Sequence, residues 1–112
     1  KTTLHPEMRY ENGHFTIHLV NPTNVSYDKV VMESGAYFFD NYDGEEKLIN
    51  TNTVTKEFEN LPAQGELQID RSDFGELDYT IWYEIKLFAD EKAEPEELTF
   101  KLVSGKIKYE SK

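Results

Sequence analysis

The stretch Asp78-Tyr-Thr-Ile-Trp-Tyr-Glu-Ile-Lys-Leu-Phe88 decides the fold, because its apolar residues recur at every second position. Alternate side chains of a β-strand point to opposite faces, whereas a helix repeats every 3.6 residues. The residues that share the more apolar face are Tyr79, Ile81, Tyr83, Ile85 and Leu87. A run of this length, rich in aromatic and β-branched residues, predicts a long central strand.

The same period of two continues on both sides of this stretch. Residues 14–20 alternate in the same way, and residues 27–33 and 36–39 predict one further strand with a bulge or bend at Gly35. Shorter strands are expected at 46–49, 53–58, 66–70, 98–102 and 107–109, with a hairpin turn at Asp43-Gly44 and a connection at 71–75. Seven to eight short antiparallel strands without a convincing helix predict an all-β, immunoglobulin-like β-sandwich.

Length and charge restrict the kinds of partner. The 112 residues fit a single domain spanning 1–112. The chain has 22 Asp and Glu against 12 Lys and Arg, a net charge of −10, which repels phosphate backbones and anionic lipid surfaces. No apolar run approaches the ~20 residues of a membrane helix. We therefore expect neither nucleic-acid binding nor membrane insertion.

The start of the chain and its lack of cysteine bear on its origin. The first residue is Lys1 rather than Met, which favours a fragment or mature form of an exported or multidomain protein. Without cysteine there is neither a disulfide framework nor a thiolate metal site. The sequence leaves the oligomeric state open.

An enzymatic function finds no support in the motifs. The chain has no Gly-x-Ser-x-Gly elbow, no cysteine nucleophile and no phosphate-cradling glycine loop. Paired carboxylates carry no signal in a chain with 22 acidic residues. We expect a non-enzymatic domain without an obligatory cofactor.

One acidic loop is a candidate metal site. Asp40, Asn41, Asp43 and Glu45 offer side-chain oxygens, which are the ligands that Ca²⁺ prefers. Their spacing does not match an EF-hand loop, so a neighbouring loop would have to complete the coordination. The alternative is an acidic hairpin turn.

Trp82 is a candidate binding residue, because it lies on the face opposite Tyr79 and Tyr83. If that face meets solvent, Trp82 and Phe88 would form an aromatic patch that could stack on sugars or anchor a protein partner. If both faces of the sheet are covered, Trp82 belongs to the core, as a central-strand tryptophan usually does in immunoglobulin sandwiches.

Residues 13–70 resemble the FxLYD-type immunoglobulin-like modules of Gram-positive surface proteins. The pieces that carry the resemblance are Leu19-Val-Asn21, Tyr37-Phe-Phe-Asp40, Tyr42-Asp-Gly44, and Leu61-Pro-Ala-Gln-Gly65 leading into Leu67 and Ile69. Ala36 stands where that family has its first aromatic residue, and its Leu-Pro-Gly motif is two residues longer here. The resemblance implies a non-catalytic accessory module.

A second resemblance concerns Tyr79-Thr-Ile-Trp-Tyr83 alone. This segment is similar to the Tyr-x-x-x-Tyr signature of NEAT domains, which are haem-binding sandwiches of Gram-positive surfaces. The resemblance implies that Tyr79 ligates haem iron and that Tyr83 supports it. The helical segment that precedes the signature in that family has no visible counterpart here, and the alternative is that both tyrosines are packing residues.

These observations predict an extracellular or cell-envelope module that acts as a spacer or binds a protein partner, as in adhesion. The alternative is a small-ligand binder, for haem through Tyr79 and Tyr83 or for carbohydrate through Trp82. A third hypothesis is an enzyme or an enzyme-inhibitor domain, since fold alone cannot exclude an inhibitor.

Overall fold

Nine β-strands and no helix make up the described part of the chain. The structure, a computed structural model, describes residues 4–42, 44–51, 53–73, 79–89, 94–103 and 106–109, with backbone alone for 39–42, 45–46 and 72–73. The strands are β1 (His5–Glu11), β2 (His14–Asn21), β3 (Tyr27–Tyr42), β4 (Glu45–Asn50), β5 (Val54–Leu61), β6 (Gly65–Asp73), β7 (Thr80–Phe88), β8 (Glu96–Val103) and β9 (Lys106–Tyr109). None of the described residues lies in a helix long and apolar enough to cross a membrane.

The strands form two antiparallel sheets packed as an immunoglobulin-like β-sandwich, which confirms the predicted fold class. One sheet has the order β1-β2-β6, and the other has the order β4-β3-β7-β8-β9 with β5 also paired to β3. Residues 27–34 of β3 pair with β5 and residues 37–42 pair with β4, while β7 occupies the opposite edge of β3. Strands β4 and β5 therefore lie end to end along one side of the larger sheet.

The first strand, β1, is the one described strand that was not predicted from the sequence. It forms a hairpin with β2 around Asn12 and Gly13, which adopt positive φ angles of 47° and 83°. An Asn-Gly pair is the strongest short-range hairpin signal, because both central residues of a type I′ turn need positive φ. That signal was present in the sequence and identifies the strand in retrospect.

The core lies between the two sheets and is built by the alternation that the sequence predicts. The smaller sheet contributes Phe15, Ile17 and Leu19 from β2, all fully buried. Strand β7 contributes alternate residues of similar burial, namely Ile81, Tyr83, Ile85 and Leu87. Because these positions face inward, their neighbours Trp82, Glu84, Lys86 and Phe88 face away from the smaller sheet.

The expected bulge at Gly35 is wrong, because the register between β3 and β7 runs unbroken through the pair Gly35 and Trp82. The indole of Trp82 occupies the space that a side chain at Gly35 would fill, and β3 continues through this position for 16 residues in all. The described bulge lies instead where β2 pairs with β6, between Ile17 and His18. The predicted connection at 71–75 is also partly wrong, since β6 extends to Asp73; residues 74–75 lie outside the described ones.

Candidate binding surface

The outer face of the six-stranded sheet, which points away from the smaller sheet, presents a mixture of aromatic and charged side chains. It consists of the alternate residues of β5, β3, β7, β8 and β9 that do not enter the core. No described strand packs over it. Its half-buried apolar and aromatic members are Val31, Tyr37, Trp82, Phe88 and Val103. This surface is called the outer face below.

Trp82 lies at the centre of the outer face, and its indole occupies the space where a side chain of Gly35 would lie. A Cβ atom added to Gly35 would lie 2.7 Å from Cζ2 and 2.8 Å from Cε2 of the indole. Trp82 is half-buried, so it is neither a core residue nor a fully exposed side chain. The sequence left both readings open, and the structure places Trp82 on an open sheet face with its ring held by a glycine.

A basic strip borders Trp82 on the side of β8 and β9. It consists of Lys101, Lys106 and Lys108, and the segment 98–109 that carries them contains no acidic residue. Lys101 of β8 lies between Trp82 and Lys108, because it pairs with Trp82 of β7 on one side and with Lys108 of β9 on the other. The Nζ atom of Lys101 is 5.7 Å from the centroid of the Tyr37 ring, which is within the range of a cation–π interaction.

The other half of the outer face is acidic on balance, because it presents more glutamates than lysines, namely Glu33, Glu57, Glu59, Glu84 and Glu97 against Lys29 and Lys86. Glu33 of β3 lies directly opposite Glu84 of β7, and both side chains are exposed. Thr55 and Thr99 flank this pair on the neighbouring strands. Like charges directly opposite each other destabilise a sheet. The outer face has two pairs of like charges, the acidic pair Glu33 and Glu84 and the basic pair Lys101 and Lys108. The two pairs lie in different halves of the face, and this separation of charge can orient a partner.

Tyr83, on the inner side of β7, and Tyr79, which directly precedes that strand, are the predicted haem residues, and both rings are held by packing. The Tyr83 side chain is 0% exposed, its ring stacks on Phe100 with centroids 4.7 Å apart, and its hydroxyl donates a 2.6 Å hydrogen bond to Oδ2 of Asp70. The Tyr79 ring stacks on Phe38 at 4.8 Å. The hydroxyl of Tyr83 is thus already used inside the sandwich, and haem ligation remains a prediction.

A cleft of about 480 Å³ opens between the sheets beside Tyr79. Its volume is in the range of small-molecule pockets. Met32 and Ile81 form apolar parts of its wall. The polar side chains around it include Lys56, Asp70 and Arg71. A small ligand bound in this cleft would contact Tyr79.

The candidate calcium residues lie in the hairpin between β3 and β4. The backbone of Asp40 and Asn41 belongs to β3 and that of Glu45 to β4. Asp43 and the side chains of the other three lie outside the described residues, so the calcium site remains a prediction. Elsewhere, the described residues contain no group of three or more His, Cys, Asp or Glu that could hold a metal ion.

Comparisons with known proteins do not identify a function for this chain. No family model and no curated protein matches the chain. Among solved structures, the chain is similar to the curli protein CsgC of E. coli, with 12% sequence identity and a TM-score of 0.45. The match covers 90% of this chain and 97% of that chain.

Sequence reasoning found Trp82 but missed the residues around it. Tyr37 and Lys101 lie near Trp82 only because β3 and β8 pair with β7, and Lys108 lies one strand further out, on β9. The order of strands in a sandwich does not follow from alternation within each strand. The one local signal was Gly35, whose lack of a side chain in an apolar strand indicates close approach by another group.

Proposed function

We propose that this domain is a non-enzymatic immunoglobulin-like module of a bacterial cell-surface or secreted protein, and that its outer face binds a protein partner. The observation that carries the proposal is Trp82, half-buried at the centre of an open sheet face and fixed against Gly35. Tryptophan is enriched among the residues that dominate binding energies at protein interfaces. The surface-protein setting rests on the resemblance of residues 13–70 to Gram-positive surface modules.

The geometry around Trp82 suits a preorganised contact. Ordering a flexible side chain at an interface costs about 0.5–1.5 kcal/mol, and an indole already fixed on a glycine loses less. Tyr37 and Lys101 extend the contact area on neighbouring strands. A partner that places an acidic group near the basic strip and a basic group near Glu33 and Glu84 would match the two halves of the face.

Site-specific photo-crosslinking tests the protein-binding proposal. A photoreactive side chain replaces Thr99, which lies on the outer face opposite Glu84. A matched variant carries the same group at Glu11, on the edge of the three-stranded sheet. Both are introduced into the parent protein on its native cells. We expect one protein to crosslink at position 99 and not at position 11.

The substitution Trp82→Ala, combined with the label at position 99, tests whether the crosslink depends on the proposed site. Loss of a central anchor of about 2 kcal/mol or more weakens binding at least ~30-fold, so the crosslink yield should fall accordingly. Equal crosslinking from both positions, or a yield that Trp82→Ala leaves unchanged, would contradict the proposal.

A second candidate function, carbohydrate binding, is favoured by the same half-buried indole on an open sheet face. An accessible aromatic ring offers a surface on which a sugar ring can stack. Trp82 is the only tryptophan of the chain, so its fluorescence reports directly on this site. A saturable change of emission with a soluble glycan, without a protein crosslink at position 99, would replace the protein partner with a sugar.

A further inference from the structure

The two edges of the six-stranded sheet carry complementary sequences. Strand β5, at one edge, contains Glu57-Phe58-Glu59, and strand β9, at the other edge, contains Lys106-Ile107-Lys108. Each segment alternates charged and apolar residues, with opposite signs of charge. This complementarity does not involve Trp82, although Lys106 and Lys108 also belong to the basic strip of the outer face.

The charged residues of both edges share the outer face of the sheet. On β5, Phe58 lies opposite the core residue Val30, so it points inward while Glu57 and Glu59 point outward. On β9, Ile107 lies opposite the buried Leu102 and points inward, while the two lysines point outward. If the edges met, carboxylates would lie beside ammonium groups and Phe58 beside Ile107.

Both edges are open for pairing in the described part of the chain. There, β5 pairs with β3 and β9 pairs with β8, and no other strand pairs with either of them. An unpaired strand edge exposes backbone N–H and C=O groups that can receive another strand. Lys29 lies 3.4 Å from the Glu57 carboxylate within the sheet, but the Glu57 side chain remains 65% exposed.

The charges oppose pairing of like edges. Two β9 strands placed side by side would bring Lys106 and Lys108 against lysines of the other copy, and two β5 strands would bring glutamates together. Like charges opposite each other destabilise strand pairs, whereas opposite charges stabilise them by roughly 0.2–1 kcal/mol per pair. The charges therefore disfavour a symmetric dimer and favour a head-to-tail contact between β5 of one copy and β9 of another.

We propose that a second copy of this chain adds its β5 to β9, so that the six-stranded sheet continues from one molecule into the next. Strands β5 and β9 run in the same direction, because each is separated from β3 by an odd number of antiparallel steps. Two copies in the same orientation therefore pair these strands in parallel. The register places Glu57 beside Lys106, Phe58 beside Ile107 and Glu59 beside Lys108.

This contact is heterologous, which means that it leaves one free β5 and one free β9 at the ends of every open assembly. Such contacts produce open chains unless the rotation between copies closes a ring. The net charge of −10 on each copy opposes association over long distances, but salt at about 0.1 M screens charges more than about 10 Å apart. Association is therefore expected at moderate salt and at high protein concentration.

Charge reversal tests this proposal by sedimentation velocity at about 0.1 M salt, over protein concentrations up to about 1 mM. The variants are E57K/E59K, which makes both edges basic, and K106E/K108E, which makes both edges acidic. Wild type should form species larger than a monomer, and each variant alone should need a concentration at least ~10-fold higher. Circular dichroism confirms that the variants are folded.

An equimolar mixture of the two variants is the decisive sample, because each then offers the edge that the other needs. The mixture should recover the wild-type distribution, and E57K/E59K/K106E/K108E in one chain should do the same. The control E11K/E94K makes the same change in net charge as E57K/E59K, away from both edges, and should associate like wild type. A monomeric wild type, association of either variant alone, or a mixture that stays monomeric would overturn the proposal.

Discussion

At the scale of single residues, Asn21 connects two turns at one end of the sandwich. Its side chain is 1% exposed and makes four hydrogen bonds. The amide nitrogen Nδ2 donates to the carbonyl oxygens of Val25 at 2.8 Å and Pro62 at 3.0 Å. The oxygen Oδ1 accepts from the backbone N–H and the hydroxyl of Thr23. One side chain thus satisfies the polar groups of both turns.

Substitution of Asn21 should therefore be costly. Asn21→Leu has a similar volume but leaves the two carbonyl oxygens and the Thr23 groups without this partner, which should lower the free energy of unfolding by about 2–4 kcal/mol. Urea denaturation measures this change. The matched variant Asn24→Ala affects an exposed asparagine of the same turn and should cost about 0.5 kcal/mol or less. Equal effects of the two substitutions would contradict the role of Asn21.

Tyr27 should make stability depend on pH in the alkaline range. Burial, together with the hydrogen bond that its hydroxyl donates to Oε2 of Glu96 at 2.7 Å, raises the pKa of Tyr27 from 10.0 to about 12. Its contribution to stability is complete below pH 10, where the tyrosine is protonated in both folded and unfolded chains. It is lost as the pH rises from 10 to 12, because the unfolded chain ionises first.

Comparison with Tyr27→Phe isolates this contribution. Between pH 10 and pH 12, the wild type should lose about 2 kcal/mol more unfolding free energy than the variant, which has no hydroxyl to ionise at this position. Denaturant unfolding at a series of pH values provides the measurement. Parallel curves for the two proteins would show that Tyr27 does not titrate in this way.

Removal of one oxygen atom from Tyr79 distinguishes haem ligation from a packing role. Tyr79→Phe removes the hydroxyl that would ligate iron and keeps the ring that stacks on Phe38. If Tyr79 is a packing residue, hemin affinity and thermal stability should both match the wild type. A large loss of hemin absorbance at unchanged stability would instead establish Tyr79 as a ligand.

At the scale of strands, the cross-strand pair of Gly35 and Trp82 couples the shape of the sheet to the position of the indole. Gly35→Ala adds a methyl group 2.7 Å from the ring, so the ring must move. Overpacking of this kind typically costs about 1–3 kcal/mol. The substitution should destabilise the fold and shift the fluorescence of Trp82.

A double-mutant cycle checks this coupling. In a Trp82→Ala background, the same Gly35→Ala substitution should cost at least ~1 kcal/mol less, because the clashing ring is gone. If both backgrounds lose the same stability, the indole does not rest on Gly35.

The reliability of strand prediction differed with the local signal. Strand β7 was predicted almost to its ends, because one buried and one solvent-facing side give unbroken alternation. Strand β1 was missed because its buried and exposed residues do not alternate cleanly, and only the turn at Asn12 and Gly13 marks it. At Gly35 the sequence predicts a bulge or bend, but the strand keeps its register there, and the indole of Trp82 fills the space beside the glycine.

At the scale of the whole molecule, alternation predicted the two-sheet architecture but not the candidate site. The acidic pair of the outer face combines Glu33 of β3 with Glu84 of β7, which are distant in the chain, whereas the basic strip lies on the consecutive strands β8 and β9 and borders Trp82 because β8 pairs with β7. Their meeting depends on the strand order, which the hydrophobic pattern of each strand does not encode. Of this face, only Trp82 and Phe88 stood out in the sequence.

The central claim is that the outer face around Trp82 is open and available for binding, and acrylamide quenching of Trp82 fluorescence tests it most directly. Acrylamide is neutral, so the net charge of −10 does not distort its approach, and the chain has no second tryptophan to confuse the signal. We predict a quenching constant between that of free N-acetyltryptophanamide and that of the same residue in a fully buried site. Emission as blue-shifted and as poorly quenched as that of a core tryptophan would show that the face is covered, and would contradict the account.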